Sequence, residues 1–352
     1  MSNVANITPA ERAVNFMRQT RQNFHSLPTQ AFTAEGDRLQ FVLPKARYLS
    51  TTYIEVEAVV KLTGSGEVKV NPFPFEMFNR ISMEANSNFM PASLSGRDLN
   101  ILSKIRMYPS VATPLANPRA AMYVENQISA EGTNNKISMS IPIQHVLSEK
   151  DAVGLILLQN DTTQVILSMD LDRVAKAYLL TEGQTAEFVS VKVTPWLQTF
   201  TIPLPEAARP DLSTLKMLSS KYEVFSADSS TVVKMPTQTI YRRIALYFED
   251  ENGNPMKPED FRGTIDLVCN QADAPIMLKP SQLQYLNHHY YGEPLPDGVY
   301  VLDFACVPLP NIAGVRDLVD GERLTELWVR FSATKGGKVT AISETISRLV
   351  SA

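Results

Sequence analysis

The sequence predicts an all-β fold. It reads as two tandem β-sandwich or jelly-roll units, preceded by a helical arm and carrying short helices in loops. Three observations predict this. Most of the chain is a succession of short runs rich in β-branched and aromatic residues, punctuated by Gly, Pro, Asn and Asp turn signals. Its 23 Pro outnumber its 15 Gly, which favours loops over long helices. Its 352 residues, at roughly 150 per domain, leave room for two such units. A proline-rich segment from Phe200 to Pro210, with Pro203, Pro205 and Pro210, cannot donate to a sheet ladder and marks the boundary between them.

In chain order, residues 8 to 25 carry the helix signal of the arm. Thr8 is a cap, Pro9 suits the first helical position, and Glu11 completes a capping box. Ala13, Phe16, Met17 and Phe24 form one apolar stripe beside Arg12, Arg18 and Arg21, and Pro28 ends the arm. The arm precedes the first expected strand, so it should add little to either core. Strands are expected over Arg38 to Leu43 and Ser50 to Leu62, where Ile54, Val56 and Ala58 alternate with Tyr53, Glu55 and Glu57. Thr63-Gly64-Ser65-Gly66 is a turn, and strands follow at Glu67 to Val70 and Glu76 to Glu84. Leu99 to Met107 is a short helix, and Pro109 to Asn135 is a loop. Lys136 to Ile143, Val165 to Leu171 and Phe188 to Val193 close the first half. In the second half, strands are expected at Tyr222 to Phe225, Thr231 to Val233, Ile240 to Glu249, Thr264 to Cys269, Val299 to Val307, Leu324 to Ala333 and Lys338 to Ile342. Asn252-Gly253 makes a hairpin turn, and Pro280 to Tyr290 is a helix. No repeat is visible between the halves at the level of sequence.

Composition narrows the function. With 33 Lys+Arg against 37 Asp+Glu, the net charge is −4, which argues against sequence-independent coating of nucleic acid. Hydrophobic residues are 44% and charged residues 20%, enough for sizeable cores. Cys269 and Cys306 make no framework and no C-x-x-C motif, and read as small buried hydrophobes. No run approaches the ~20 apolar residues of a membrane span, and the N-terminus shows no signal-peptide core. Synthesis in a cytosol is expected.

His25, His145, His288 and His289 lack the converging spacing of a zinc site. The run Asp250 to Asn254 starts like a calcium loop, but Pro255 and Phe261 stand where Gly and Glu are required. No nucleophile elbow, phosphate loop or dinucleotide fingerprint occurs. No catalytic, cofactor or metal residue is assigned, and a non-enzymatic role is expected. The basic arm stands out instead. Arg12, Phe16, Met17, Arg18, Arg21 and Phe24 form an Arg-flanked apolar stripe suited to a neighbouring protein or an anionic membrane face. The competing reading is a helix packed on its own domain.

Several stretches, in order, resemble one family. They are the arm from Thr8 to Phe24; "KISMSIPIQHVLSEKDAVGLILLQNDTTQVILSMDL" from Lys136 to Leu171, with Ser148-Glu149-Lys150-Asp151 as its turn; and "AEFVSVKVTPWLQTFTIPLP" from Ala186 to Pro205. In the second half they are "TIYRRIALYFEDENGNPM" from Thr239, "LPDGVYVLDF" from Leu295 and "LWVRFSATKGGKVTAISETI" from Leu327. Together they resemble the double jelly-roll major capsid proteins of tailless, internal-membrane icosahedral phages of the tectivirus type, whose architecture adenovirus hexon shares. Leu295 stands where that family has an aromatic, and residues 86 to 135 match nothing in it. The resemblance implies two eight-stranded jelly rolls, at 31–200 and 213–346, with an arm at 1–30, a linker at 201–212 and a tail at 347–352. It also implies a homotrimeric capsomer tiling an icosahedral shell around a membrane. Neighbouring capsomers, penton and minor capsid proteins, and inner-membrane lipid would be the partners, with no specific nucleic acid and no cofactor. The arm would lie on the inner side. A vertex or receptor-binding virion protein and a carbohydrate-active β-sandwich enzyme are the alternatives.

Overall fold

The computed structural model describes residues 8–86, 89–106, 128–129, 134–147, 152–160, 164–292, 294–305 and 318–348. The turn Ser148 to Asp151, Cys306, most of the loop from Pro109 and the tail beyond Arg348 lie outside them. The main division between two compact units falls between Lys216 and Met217.

The first unit contains helices α1 (Pro9–Gln19) and α2 (Gly96–Arg106). Its strands are β1 (Gln22–Ser26), β2 (Gln30–Phe32), β3 (Arg38–Val42), β4 (Tyr48–Thr63), β5 (Glu67–Val70), β6 (Phe78–Ala85), β7 (Phe89–Leu94), β8 (Ile128–Ser129), β9 (Asn134–Gln144), β10 (Ile156–Leu157), β11 (Val165–Leu171), β12 (Tyr178–Leu179) and β13 (Thr185–Phe200). β1 and β2 pair one after the other along β13, β13 pairs β4, and β4 pairs β9 and β10. A second sheet runs β7-β6-β11-β3, and β5 pairs β12 and β8. Alternation sets the burial. Ile54, Val56, Ala58, Val60 and Leu62 of β4 and Ile137, Met139, Ile141 and Ile143 of β9 are all buried. The outward residues carry cross-strand ion pairs, Lys136–Glu57 at 2.8 Å and Lys61–Glu187 at 3.4 Å, which on an exposed face contribute little.

The second unit holds β14 (Thr214–Phe225), β15 (Ser230–Met235), β16 (Ile240–Asp250), β17 (Ile265–Cys269), β18 (Asp273–Leu278), helix α3 (Pro280–Tyr291), β19 (Val299–Asp303), β20 (Val319–Asp320), β21 (Leu327–Ser332) and β22 (Gly337–Arg348). One sheet runs β14-β22-β16-β19, the other β15-β21-β17-β18. Its core is an aromatic knot. The Phe248 ring meets Phe331 at 4.8 Å and Phe261 at 4.9 Å, both edge-to-face, and Phe225 meets Phe331 at 5.1 Å.

The two units share one strand order. Take β1/β2, β3, β4, β6, β7, β9, β11 and β13 as first to eighth in the first unit. Take β14, β15, β16, β17, β18, β19, β21 and β22 likewise in the second. Both then pair one sheet as first-eighth-third-sixth and the other as second-seventh-fourth-fifth. This is the jelly-roll order, present twice without a repeat in sequence.

A row of buried charge crosses the second unit's first sheet. Arg243 of β16 is 2% exposed and lies in register with Glu344 of β22 and Asp303 of β19. Its Nε is 3.3 Å from Glu344 Oε2 and its Nη2 is 3.8 Å from Asp303 Oδ2. Arg242 Nη1 lies 3.0 Å from Glu344 Oε1, and the Tyr291 hydroxyl donates to Asp303 at 2.8 Å. Burial by itself would lower the Arg243 pKa; Glu344 and then Asp303 outweigh it and hold the guanidinium charged.

The structure corrects several local readings. The expected helix over residues 8 to 25 stops at Gln19, because residues 22 to 26 are recruited as β1 against β13. The strand expected from Glu76 begins as a 3-10 turn, Pro74–Met77. β7 and β18 are strands where the sequence carries no strand expectation, and β14 is three times the length expected at Tyr222 to Phe225.

Candidate functional site

The arm is built by local rules and then anchored by tertiary ones. Thr8 Oγ1 accepts from Glu11 N–H at 3.3 Å, and Glu11 Oε2 accepts from Thr8 N–H at 2.9 Å. That reciprocal pair is the expected capping box. The Thr8 backbone bond, and then its hydroxyl, lower the Glu11 carboxyl pKa. The helix closes at Thr20, whose N–H and hydroxyl both donate to Phe16 O, at 3.0 and 2.7 Å. Arg21 N–H then donates to Thr201 Oγ1 at 2.9 Å, and the chain enters β1 in register with β13 from Gln22↔Phe200 to Ser26↔Trp196.

The six arm residues separate into three environments. Phe16 is 3% exposed and turns inward. Its ring lies edge-to-face on Phe200 at 5.5 Å and on Tyr48 at 6.2 Å, in a cluster with Val146 and Leu155. An outward role for Phe16 is therefore corrected: it is the peg that fixes the helix, and the arm does contribute to a core. Arg12 is half-buried. Its charge adds to the two Ser213 hydrogen bonds that lower the Asp211 carboxyl pKa. Met17 is 61% exposed, and Arg18 and Arg21 stand exposed around it.

Phe24 leaves the helix altogether. It sits on β1, 63% exposed. Its ring meets Trp196 edge-to-face at 6.0 Å, and Trp196 stacks on Tyr53 at 3.9 Å and 9°. The sequence stripe of Phe16, Met17 and Phe24 thus becomes an inward peg, an exposed helix side chain and a strand-borne aromatic ladder. Sequence reasoning missed Trp196 and Tyr53 as partners of Phe24, since the pairing joins residues far apart in the chain. It also missed Leu204, 93% exposed between Pro203 and Pro205. An apolar side chain flanked by two prolines was the available signal.

The outward side of the arm combines Val14, Met17, Arg18 and Arg21. Such a surface can meet apolar and anionic groups together. Among the described residues, no cluster of His, Cys, Asp and Glu is placed to hold a metal ion, and no helix is long and apolar enough to cross a membrane.

No protein-family profile matches the chain, and no curated protein matches it in sequence. Solved structures do match. The chain is similar to the STIV MCP, from Sulfolobus turreted icosahedral virus, with a TM-score of 0.70 and 14% identity, covering 93% of this chain and 97% of that one. It is similar to the PBCV-1 virus capsid chain, with a TM-score of 0.65 and 10% identity over 93% and 95% of the two chains. It is also similar to the major capsid protein P2 from bacteriophage PM2, at 0.56 and 12%, over 94% and 98%. The repeated strand order and these near-full-length superpositions together establish that the chain has the double jelly-roll fold of these viral capsid proteins.

Proposed function

We propose that this chain is a major capsid protein. Three copies would form a pseudo-hexagonal capsomer of six jelly rolls, and capsomers would tile an icosahedral shell around an internal membrane. The single observation that carries the reading is the pair of complete, like-ordered jelly rolls, aligned over 93% of the chain with the STIV capsid protein. Rigid sandwiches suit repetition: many modest contacts sum to a stable closed shell. The role is structural, not catalytic, and the site of action is the virion, after synthesis in a host cytoplasm.

Within this reading the arm (1–30), first jelly roll (31–200), linker (201–212), second jelly roll (213–346) and tail (347–352) are functional segments. β13 ends at Phe200, and β14 begins at Thr214, in keeping with a linker between them. Met17 and Arg18 on the outward side of α1, Arg21 just beyond its end, and Phe24 on β1 would face the shell interior. There they would meet neighbouring capsomers, minor or penton proteins, or lipid.

The test is the mass of the purified chain by light scattering. A species near three times 39.2 kDa, stable on dilution, is expected. A monomer at every concentration would overturn the capsomer.

A further inference from the structure

Among the described residues, strand β19 ends the second unit's first sheet, next to β16. Such a strand turns every second N–H and C=O outward, and an open row of them is a template for another chain. Leu246↔Tyr300 and Ile244↔Leu302 are flanked by bonds from Phe248 N–H to Gly298 O and from Phe304 N–H to Arg242 O. The even-numbered residues therefore bond β16, and Val299, Val301 and Asp303 face the edge. Val299 N–H is taken by Pro296 O within its own turn. Val301, at the centre, is satisfied on both counts by one side chain. Asn287 Oδ1 accepts from Val301 N–H at 2.9 Å, and Asn287 Nδ2 donates to Val301 O at 2.8 Å.

That is the donor and acceptor pattern an added antiparallel strand would supply. It comes from a helix. The buried stripe of α3 is Pro280, Leu283, Asn287 and Tyr291, and Asn287 is the polar residue in it, 1% exposed. A buried Asn on an otherwise apolar stripe costs desolvation unless both ends of its amide are used; here both are. Tyr291 adds a hydrogen bond to Asp303 one helical turn further on. The other sheet of this unit shows the same economy at its edges. Pro275 on β18 has no N–H to offer, and Lys221 Nζ donates to Lys234 O of β15.

We propose that Asn287 is an edge guard. It occupies the β19 strand-acceptor site, whose competing occupant is a β-strand of a second copy of this chain, and so leaves self-association to sheet faces and loops. The inference deepens the capsid reading, for which strand-to-strand association would be a competing, non-closing assembly.

The test compares the full chain with Asn287→Leu, which keeps the stripe apolar and removes only the amide. Light scattering and infrared spectroscopy are followed across protein concentration. The expected result is mass that rises with concentration in the variant, accompanied by an intermolecular β-sheet band, with the wild-type mass constant. Adding Val301→Pro, which deletes the edge-facing N–H without removing a bond to β16, is expected to suppress that rise. A folded Asn287→Leu with wild-type mass at every concentration would overturn the proposal, as would association that Val301→Pro leaves unchanged. If Asn287→Leu does not fold, Asn287→Asp, which keeps the acceptor and loses the donor, is read in the same way. Failure of both to fold would also overturn it, since the amide would then hold the core together and not guard the edge. A monomeric wild type would defeat the capsomer reading while leaving this comparison intact.

Discussion

Replacing Arg243 by Met would test the energetics of the buried row. The substitution keeps an unbranched side chain of similar reach and removes the positive charge between Glu344 and Asp303, whose side chains are 1% and 0% exposed. Asp303 would retain the Tyr291 hydroxyl and Ala305 N–H, both at 2.8 Å, and Glu344 would retain Arg242. Asp303 would nevertheless lose its cation, and Glu344 would keep one guanidinium in place of two. Removing one member of a buried ionic set costs about 3–5 kcal/mol. For a unit of this size that lowers Tm by roughly 10–20 °C. Calorimetry on the purified chain reads the shift. The triple variant Arg243→Met, Glu344→Gln, Asp303→Asn removes the mismatch and is expected to recover most of the loss, because the penalty lies in uncompensated charge and not in the absence of the ion pair. A fall of only a few degrees for Arg243→Met would refute the reasoning. So would a triple variant less stable than the single one.

The other predictions are local. Phe16→Ala is expected to cost up to about 3–5 kcal/mol in chemical denaturation of the first unit, whereas Met17→Ser at the exposed position should stay within about 0.5 kcal/mol; equal effects would mean that the helix is not pegged as described. Removing residues 1–20 should leave β1 on β13, while removing 1–27 deletes that edge strand as well, so the longer truncation should lose more stability to thermal unfolding. Gly96→Ala would place a Cβ 1.7 Å from Phe75 O; the backbone shift this forces should cost roughly 1–3 kcal/mol, and an unchanged denaturation midpoint would contradict the close approach. Asp250 accepts from Asn254, backbone first and then side chain, and from Asn252 N–H, which lowers its pKa. Its contribution to the hairpin is therefore full above the ordinary Asp value of about 3.9 and is lost as pH falls through the lower folded value; a carboxyl titration by NMR with a midpoint at or above the ordinary value would disprove it.

Features that depend on neighbours along the chain are legible in the amino-acid order alone. Alternation in β4 and β9 reports which side chains face a core, because the strand period of two is fixed by backbone geometry. The Thr8–Glu11 box, the Asn252-Gly253 turn and the α3 start at Pro280 are likewise written within four residues. The all-β class, two units and the resemblance to double jelly-roll capsid proteins followed from those signals in order.

Which strands pair, and what lies over them, emerges with the assembled fold. The expected helix runs on to residue 25, yet β13, some 175 residues away, captures residues 22 to 26 as β1, since pairing and aromatic contact outweigh a weak local propensity. β18 does alternate, with Ala274, Ile276 and Leu278 half-buried, but Pro275 and the apolar Met277 on its exposed face obscure that period in the sequence. Nothing near Arg243 in the sequence marks it as buried; Asp303 and Glu344, 60 and 101 positions on, close around it. Asn287 reads as a polar helix residue until Val301 supplies both ends of its amide. Periodicity encodes the direction of a side chain; the partner it meets is set by strand order, which is a property of the whole fold.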